Sequence, residues 1–221
     1  MSRPFSLDSR LSLCSEFVRE GRVVADIGTD HAYLPVSLVL SGKVPKAIAS
    51  DINPDPLEKG RLTIKKYGLE DKISTRLSPG LEKISEGEAQ DIVIAGMGGE
   101  TIISILSAAP WVKSPEIQLV LQPMSKPHLL LQYLSEEGFE IIRQETCTAA
   151  DKLYTVIAAT FTGKAYEKDV LYPYVGELSP EKNPLDRAFI EAQLHALLKK
   201  APFSKEAKLL SEKLKERLCE L

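Results

Sequence analysis

Along the first three quarters of the chain, short apolar runs alternate with longer stretches in which apolar residues recur every three to four positions. The runs at 22–27, 44–51, 73–77, 90–95 and 117–121 read as strands. Between them, 33–40, 54–67, a segment starting at 101–106, and 126–136 read as crossover helices. The run 90–95 is nearly all apolar, as expected of a strand covered on both faces. Ahead of the first strand, Leu7, Leu11, Cys14, Phe17 and Val18 recur at helical spacing over 6–18. Two further strands, 139–146 and 153–161, are separated by too few residues for a crossover helix and predict an antiparallel hairpin. Strand and helix in alternation predict an α/β fold built on a mostly parallel, seven-stranded sheet.

The pattern changes at Thr162-Gly163. Residues 171–184 are rich in Pro and Tyr and lack a clean period, which suggests a connector packed on the first domain. Leu185, Phe189, Ile190, Leu194, Leu197 and Leu198 then share one helical face, and Ala207, Leu210, Leu214, Leu218 and Leu221 another. Ala201-Pro202-Phe203-Ser204 breaks the two apart, with Ser204 placed to cap the second helix. The expected organisation is a domain over 1–162 and a C-terminal α-helical hairpin over 163–221, a monomer or weak dimer. Lys199, Lys200, Lys205 and Lys208 gather around the hairpin's turn, as a solvated surface or as phosphate contacts.

Composition narrows the chemistry. With 43% hydrophobic and 27% charged residues in 221, the chain can bury a sizeable core, and a net charge of −3 gives no global affinity for polyanions. Any grip on nucleic acid must come from a local basic surface. Cys14, Cys147 and Cys219 stand far apart without metal-ligand or redox spacing, so no metal is expected and the thiols read as free in a reducing compartment. No apolar run nears a membrane span and Met1-Ser2-Arg3-Pro4 lacks a signal-peptide core, giving the expectation of a cytoplasmic protein.

Two stretches carry chemistry. In Asp26-Ile27-Gly28-Thr29-Asp30-His31-Ala32-Tyr33, an apolar strand ends in a carboxylate, a glycine and a polar turn, the anatomy of the first βα unit of a nucleotide-binding domain. Asp30 and Ala32 stand where further glycines would support a pyrophosphate, so the cofactor is expected to carry a cationic or zwitterionic group instead of the phosphates of NAD. Asp51 ends the second strand about 23 positions after Gly28, where a carboxylate can accept hydrogen bonds from both hydroxyls of a ribose. The second stretch, Gly96-Met97-Gly98-Gly99, puts three glycines in four residues at the end of a central strand. It reads as a tight turn or as the floor of a slot for a flat substrate. Gln122-Pro123 ends the next strand on the same crevice. The outward Lys59, Arg61, Lys65 and Lys66 of 54–67 are a solvated face or, alternatively, an RNA-facing patch.

These motifs together resemble one family. The strand, crossover and hairpin order is similar to the class I methyltransferases, which have a Rossmann-like domain and use S-adenosyl-L-methionine. Asp26 to Pro35, Ile94-Ala95-Gly96-Met97-Gly98-Gly99 and Leu121-Gln122-Pro123 resemble the bacterial TrmK family of tRNA (adenine(22)-N1)-methyltransferases. Gly68-Leu69-Glu70-Asp71-Lys72-Ile73, Gly80-Leu81-Glu82 and Lys152-Leu153-Tyr154 fit the same pattern, and the hairpin matches the family's C-terminal extension. Two departures stand out. Pro79 replaces an acidic residue that precedes the glycine of the family's Asp-Gly-Leu turn, which leaves the cofactor adenine to backbone groups of Ser78 or Leu81. Met124 stands where an asparagine is expected.

The resemblance implies transfer of a methyl group to N1 of adenine in tRNA. It implies that Asp26, Gly28, Thr29, His31, Tyr33, Asp51, Ile52, Gly80, Leu81, Ala95, Gly96 and Met97 surround the cofactor. Gly98, Gly99, Pro123, Lys199, Lys200 and Lys205 are the expected substrate contacts. N1 is already nucleophilic and the product base is cationic, so the chemistry asks for positioning and a carboxylate more than for a base. Asp30 is the candidate for that carboxylate, with capping of the following helix as its other role, and Gln122 is the candidate to read the base edge. The competing readings are a class I methyltransferase acting on a small molecule, or a non-catalytic S-adenosylmethionine-binding protein.

Overall fold

The computed structural model describes residues 6–164 and 169–220. A seven-stranded sheet runs in the order β3-β2-β1-β4-β5-β7-β6. Its strands are β1 (Val24–Ile27), β2 (Ala47–Asp51), β3 (Ile73–Leu77), β4 (Asp91–Gly98), β5 (Gln118–Ser125), β6 (Phe139–Ala149) and β7 (Lys152–Phe161). Pairings among β1 to β5 are parallel, and β7 lies antiparallel between β5 and β6. Chain order reverses direction between β1 and β4, so a crevice opens at their carboxyl ends, the usual ligand position in such sheets.

Side-chain alternation builds two core layers. Ala25, Ile27, Ile92, Ile94, Leu119 and Leu121 point to one face, where α4 (Gly99–Ser107) and α5 (Pro127–Glu136) cover them. Val24, Val93 and Val120, from the same three strands, point to the other face, towards α1 (Ser9–Phe17), α2 (Tyr33–Leu40) and α3 (Pro54–Lys66). That is why these strands read as unbroken apolar runs. Below the sheet, the wholly buried Asp91 binds the Arg19 backbone N–H at 2.7 Å and its guanidinium Nε at 2.8 Å, locking the end of α1 to β4.

Several boundaries differ from the sequence expectation. Helix α1 starts at Ser9 because the Asp8 carboxylate caps it, accepting from the Leu11 N–H at 2.9 Å. Strand β4 continues to Gly98, through a bulge at Met97, instead of stopping at Ala95. Strands β6 and β7 are joined by Ala150 and Asp151, both at positive φ (46° and 58°), a two-residue turn whose usual asparagine–glycine signature is missing here.

The C-terminal hairpin is α7 (Pro184–Lys200) and α8 (Lys205–Glu220), preceded by the single turn α6 (Tyr172–Val175). Phe189, Ile190, Leu197, Ala207, Leu210, Leu214 and Leu218 form its core with Leu171, Val175 and Leu178. Leu198, expected on the inner face, is 47% exposed, and Leu221 lies outside the described residues. Asp186 fastens the hairpin to the sheet. Its buried carboxylate accepts from the Thr146 N–H of β6 and the Ser179 N–H, both at 3.0 Å, and from Asn183 Nδ2 at 3.2 Å. Among the described residues no helix is long and apolar enough to cross a membrane.

Candidate active site

A cleft of ≈ 420 Å³ opens at the carboxyl ends of β1, β2 and β4. Gly28 and Ile27 lie at its base, Asp51, Ile52 and Asn53 on one wall, and Ser78 to Glu82 at one end. Ala95, Gly96 and Met97 close the β4 side. The opposite wall is α4 with its C-cap, through Thr101, Ser104, Ile105 and Ala108. Those four share one helical face at i, i+3, i+4 and i+7, a spacing present in the sequence but not read as a cofactor wall. Asn53 and Glu82 are also additions to the expected set. Glu82 lies three residues beyond Pro79, at the end of the cleft where the family's acidic residue is missing.

The glycines are bare for different reasons. Gly28 has φ +76°, a backbone conformation that favours glycine, and a Cβ there would have to displace the flexible end of the Met97 side chain. Gly96 has φ +80° with open space where a Cβ would point. A Cβ on Gly99 would meet the Lys126 carbonyl at 2.5 Å, and one on Gly98 would meet Ser125 Oγ at 3.1 Å. The last two glycines therefore let α4 pack against the β5–α5 turn, and neither borders the cleft.

Asp51 is 8% exposed at the tip of β2. Its Oδ1 accepts from the Asn53 N–H at 2.7 Å, which fixes the carboxylate on the cleft wall. Asp26 lies beneath, buried, with its Oδ2 accepting from Thr29 Oγ1–H at 2.6 Å. Burial pushes its pKa up to about 6, the Thr29 bond opposes this, and the Asp51 charge adds to it. The Gly28 and Thr29 N–H groups both bond to the Ser50 carbonyl, at 2.8 and 2.9 Å, which ties the first loop to β2. These features fit S-adenosylmethionine: a bare glycine at the strand end, a fixed carboxylate for ribose hydroxyls, and the apolar Ile52, Pro79 and Ile105 for a purine. Among the described residues no group of His, Cys, Asp and Glu is arranged to hold a metal ion.

Asp30, His31 and Tyr33 lie just beyond Gly28, outside the cleft lining. Asp30 has φ 35° and a side chain 70% exposed, with its Oδ1 3.7 Å from His31 Nε2. The His31 ring stacks on Tyr33 at 5.2 Å. Ala32 stands at the N-cap of the helix that follows and offers no side-chain hydrogen bond, and among the described residues the Asp30 carboxylate makes none to that helix.

Gln122, expected to read a substrate edge, is wholly buried and engaged within the protein. Its Oε1 accepts from the Gly96 N–H at 3.0 Å and from Arg10 Nη1 at 3.3 Å, and its Nε2 donates to the Pro123 carbonyl at 3.0 Å. Arg10 was not singled out from the sequence, where it reads as one more polar position on α1. Its guanidinium also meets Asp8 at 2.6 Å, Met124 Sδ at 3.2 Å and the Tyr154 ring, 5.5 Å to the centroid. Met124, in place of the expected asparagine, is thus a contact of Arg10.

Lys199, Lys200 and Lys205 lie at the hairpin's turn, away from the cleft lining. Lys200 is nonetheless linked to the sheet's carboxyl edge. His128, at the start of α5, stacks on Tyr174 at 5.4 Å. Burial lowers its pKa, and the charges of Lys200 and Lys126 lower it further.

A methyltransferase domain family model matches residues 7–157. The tRNA (adenine(22)-N(1))-methyltransferase of Bacillus subtilis (strain 168) is 37% identical over 166 residues, covering 75% of this chain and 68% of that protein. The crystal structure of the B. subtilis M1A22 tRNA methyltransferase TrmK superposes with a TM-score of 0.75 and 29% identity, covering 96% of both chains. Streptococcus pneumoniae Sp1610, solved with S-adenosyl-L-methionine, superposes with a TM-score of 0.83 and 28% identity, over 96% of this chain and 99% of that one. On the domain match and the 37% identity over three quarters of its length, the chain belongs to the TrmK family of S-adenosylmethionine-dependent tRNA (adenine(22)-N1)-methyltransferases.

Proposed function

We propose that this protein transfers a methyl group from S-adenosyl-L-methionine to N1 of adenine 22 in tRNA, acting in the cytoplasm as a monomer or weak dimer. The observation that carries this reading is the cleft between Gly28 and Asp51 in a chain 37% identical to an enzyme of that activity. Bound in the cleft, S-adenosylmethionine would supply an electrophilic methyl group on a sulfonium centre.

Asp51 would hold the ribose hydroxyls, and Ile52, Pro79 and Ile105 would enclose the adenine, with Leu81 and Gly80 at that end of the cleft. Gly28, Ala95, Gly96 and Met97 would surround the methionine portion, with Asp26 and Thr29 supporting the loop from below. Asp30 would face the target base. As N1 bonds to carbon, positive charge spreads over the adenine ring, and an exposed carboxylate free of capping duty stabilises that charge without removing a proton. His31 and Tyr33 would limit where that carboxylate points. Gln122 and Arg10 would act by holding the Gly96 turn, and Pro123 would shape the rim beside it.

N1 lies on the pairing edge of adenine, so the target base must leave its stem before it can react. We assign the grip on the remaining tRNA to the hairpin of residues 163–221, as a unit distinct from the methyltransferase domain of residues 1–162. Its own apolar core supports that division. Titration with S-adenosylmethionine, followed by a methyl-transfer assay on bulk bacterial tRNA, tests the function. Cofactor binding with label in tRNA is the expected result, whereas binding without transfer to any RNA would contradict it.

A further inference from the structure

Phe203 is 91% exposed in the break between α7 and α8. It takes no part in the hairpin core, so packing does not explain an aromatic residue there. Its position is nevertheless fixed. The Phe203 N–H bonds to the Lys200 carbonyl at 3.0 Å, and Ser204 Oγ accepts from the Ala207 N–H at 3.2 Å.

Beside it lies an open groove of ≈ 460 Å³, floored by Leu198, Ala201 and Pro202 and rimmed by Lys208, Lys215 and Glu212. Residues 198–208 contain four lysines against one glutamate, in a chain of net charge −3. No ion pair among the described residues engages any of the four. An exposed aromatic face, an apolar floor and unpaired cations are the elements that bind single-stranded nucleotides: the ring stacks on a base and the cations meet its phosphates. The tip is also close to the methyltransferase domain: the charges of Lys200 and Lys126 both act on His128 at the start of α5.

We propose that the hairpin tip is a second RNA subsite, in which Phe203 stacks on an unpaired base of the tRNA while Lys199, Lys200, Lys205 and Lys208 contact neighbouring phosphates. This rests on the tRNA reading above and goes beyond it by naming a base-stacking contact remote from the reacting adenine. The occupant is an unpaired nucleotide, because a paired base has both faces covered by its neighbours.

The test uses the full chain and an unmodified bacterial tRNA transcript carrying adenine at position 22. Phe203→Ala should raise the transcript KM roughly fivefold or more, with kcat and S-adenosylmethionine affinity unchanged. Phe203→Trp should restore KM to within about twofold of the parent, because indole stacks as well as phenyl. Its added fluorescence, beyond that of the single native Trp111, should be quenched by the transcript. Phe203→Leu, apolar but without a ring, should behave as Phe203→Ala. A blunt RNA duplex has no unpaired base and should bind parent and Phe203→Ala alike.

A Phe203→Leu variant equal to the parent would overturn stacking. An unchanged KM in Phe203→Ala, with methylation intact, would overturn the subsite and leave the tRNA reading standing. If Phe203→Ala also abolished a concentration-dependent dimer, the tip would be a self-association surface instead. A parent that neither binds nor methylates tRNA would remove the underlying reading and this proposal with it.

Discussion

Gln122 accepts a hydrogen bond from the Gly96 N–H at 3.0 Å, so a wholly buried side chain of β5 holds the glycine turn that closes the cleft. The same oxygen receives Arg10 from α1, which makes one side-chain carbonyl the junction of helix, strand and turn. Gln122→Ala leaves both donors without that acceptor. It should cost about 1–3 kcal/mol in denaturant unfolding and lower kcat/KM. Arg10→Ala combined with Gln122→Ala should be non-additive by about 0.5–3 kcal/mol, as expected of groups in contact. Strict additivity would show that Arg10 does not act through Gln122.

Asp51 is the most direct test of the cofactor orientation. Asp51→Ala should weaken S-adenosylmethionine binding by about 1–3 kcal/mol, because charge-assisted bonds to the ribose are lost. Calorimetry reads this directly, and an unchanged affinity would take Asp51 out of the site.

Asp30 separates binding from chemistry. Its carboxylate is exposed and caps no helix, so Asp30→Asn should leave the melting temperature and cofactor affinity near parental values. Turnover should fall on the order of a hundredfold, or about 2.7 kcal/mol in the barrier. A near-parental single-turnover rate at saturating tRNA would exclude the electrostatic role.

Asp26 predicts a pH effect. Its pKa is raised to about 6 in the folded chain, against about 3.9 when unfolded. The folded state thus holds a proton that the unfolded state releases between these values. The resulting stabilisation is complete below about pH 4 and is lost as pH rises through about 6, a swing of about 2–3 kcal/mol. Asp26→Asn keeps an acceptor for Thr29 but cannot titrate. The stability difference between parent and variant should therefore shift in the parent's favour as pH falls from 7 to 4. A difference constant with pH would contradict the raised pKa.

Much of the fold was legible because unbroken apolar strands and periodic helices are local signals. The places of Gly28 and Asp51 beside the cleft were legible for a related reason: a strand-end glycine and a strand-tip acid are marked by their position in the strand order. What escaped depended on contacts distant in the chain. Nothing local links Arg10 to Gln122, 112 positions on, or gives Gln122 a structural role in place of base recognition. Gly99 looked like part of a substrate slot, yet its bareness answers to the Lys126 carbonyl arriving from the turn between β5 and α5. Asp186 reads as one more charge in a helix's first turn until β6 brings the Thr146 N–H to it. The α4 wall was missed differently, since Thr101, Ser104, Ile105 and Ala108 have the right spacing but read as an ordinary amphipathic helix.

The most direct measurement is the position of the methyl group. The protein would be incubated with methyl-labelled S-adenosylmethionine and a tRNA transcript carrying adenine at position 22, and the product digested and mapped by mass spectrometry. The expected result is a single labelled nucleoside, 1-methyladenosine at position 22, absent when that adenine is replaced by guanine. Label at another position or on another atom of the base, or no label in tRNA from an enzyme that binds its cofactor, would contradict the proposed activity.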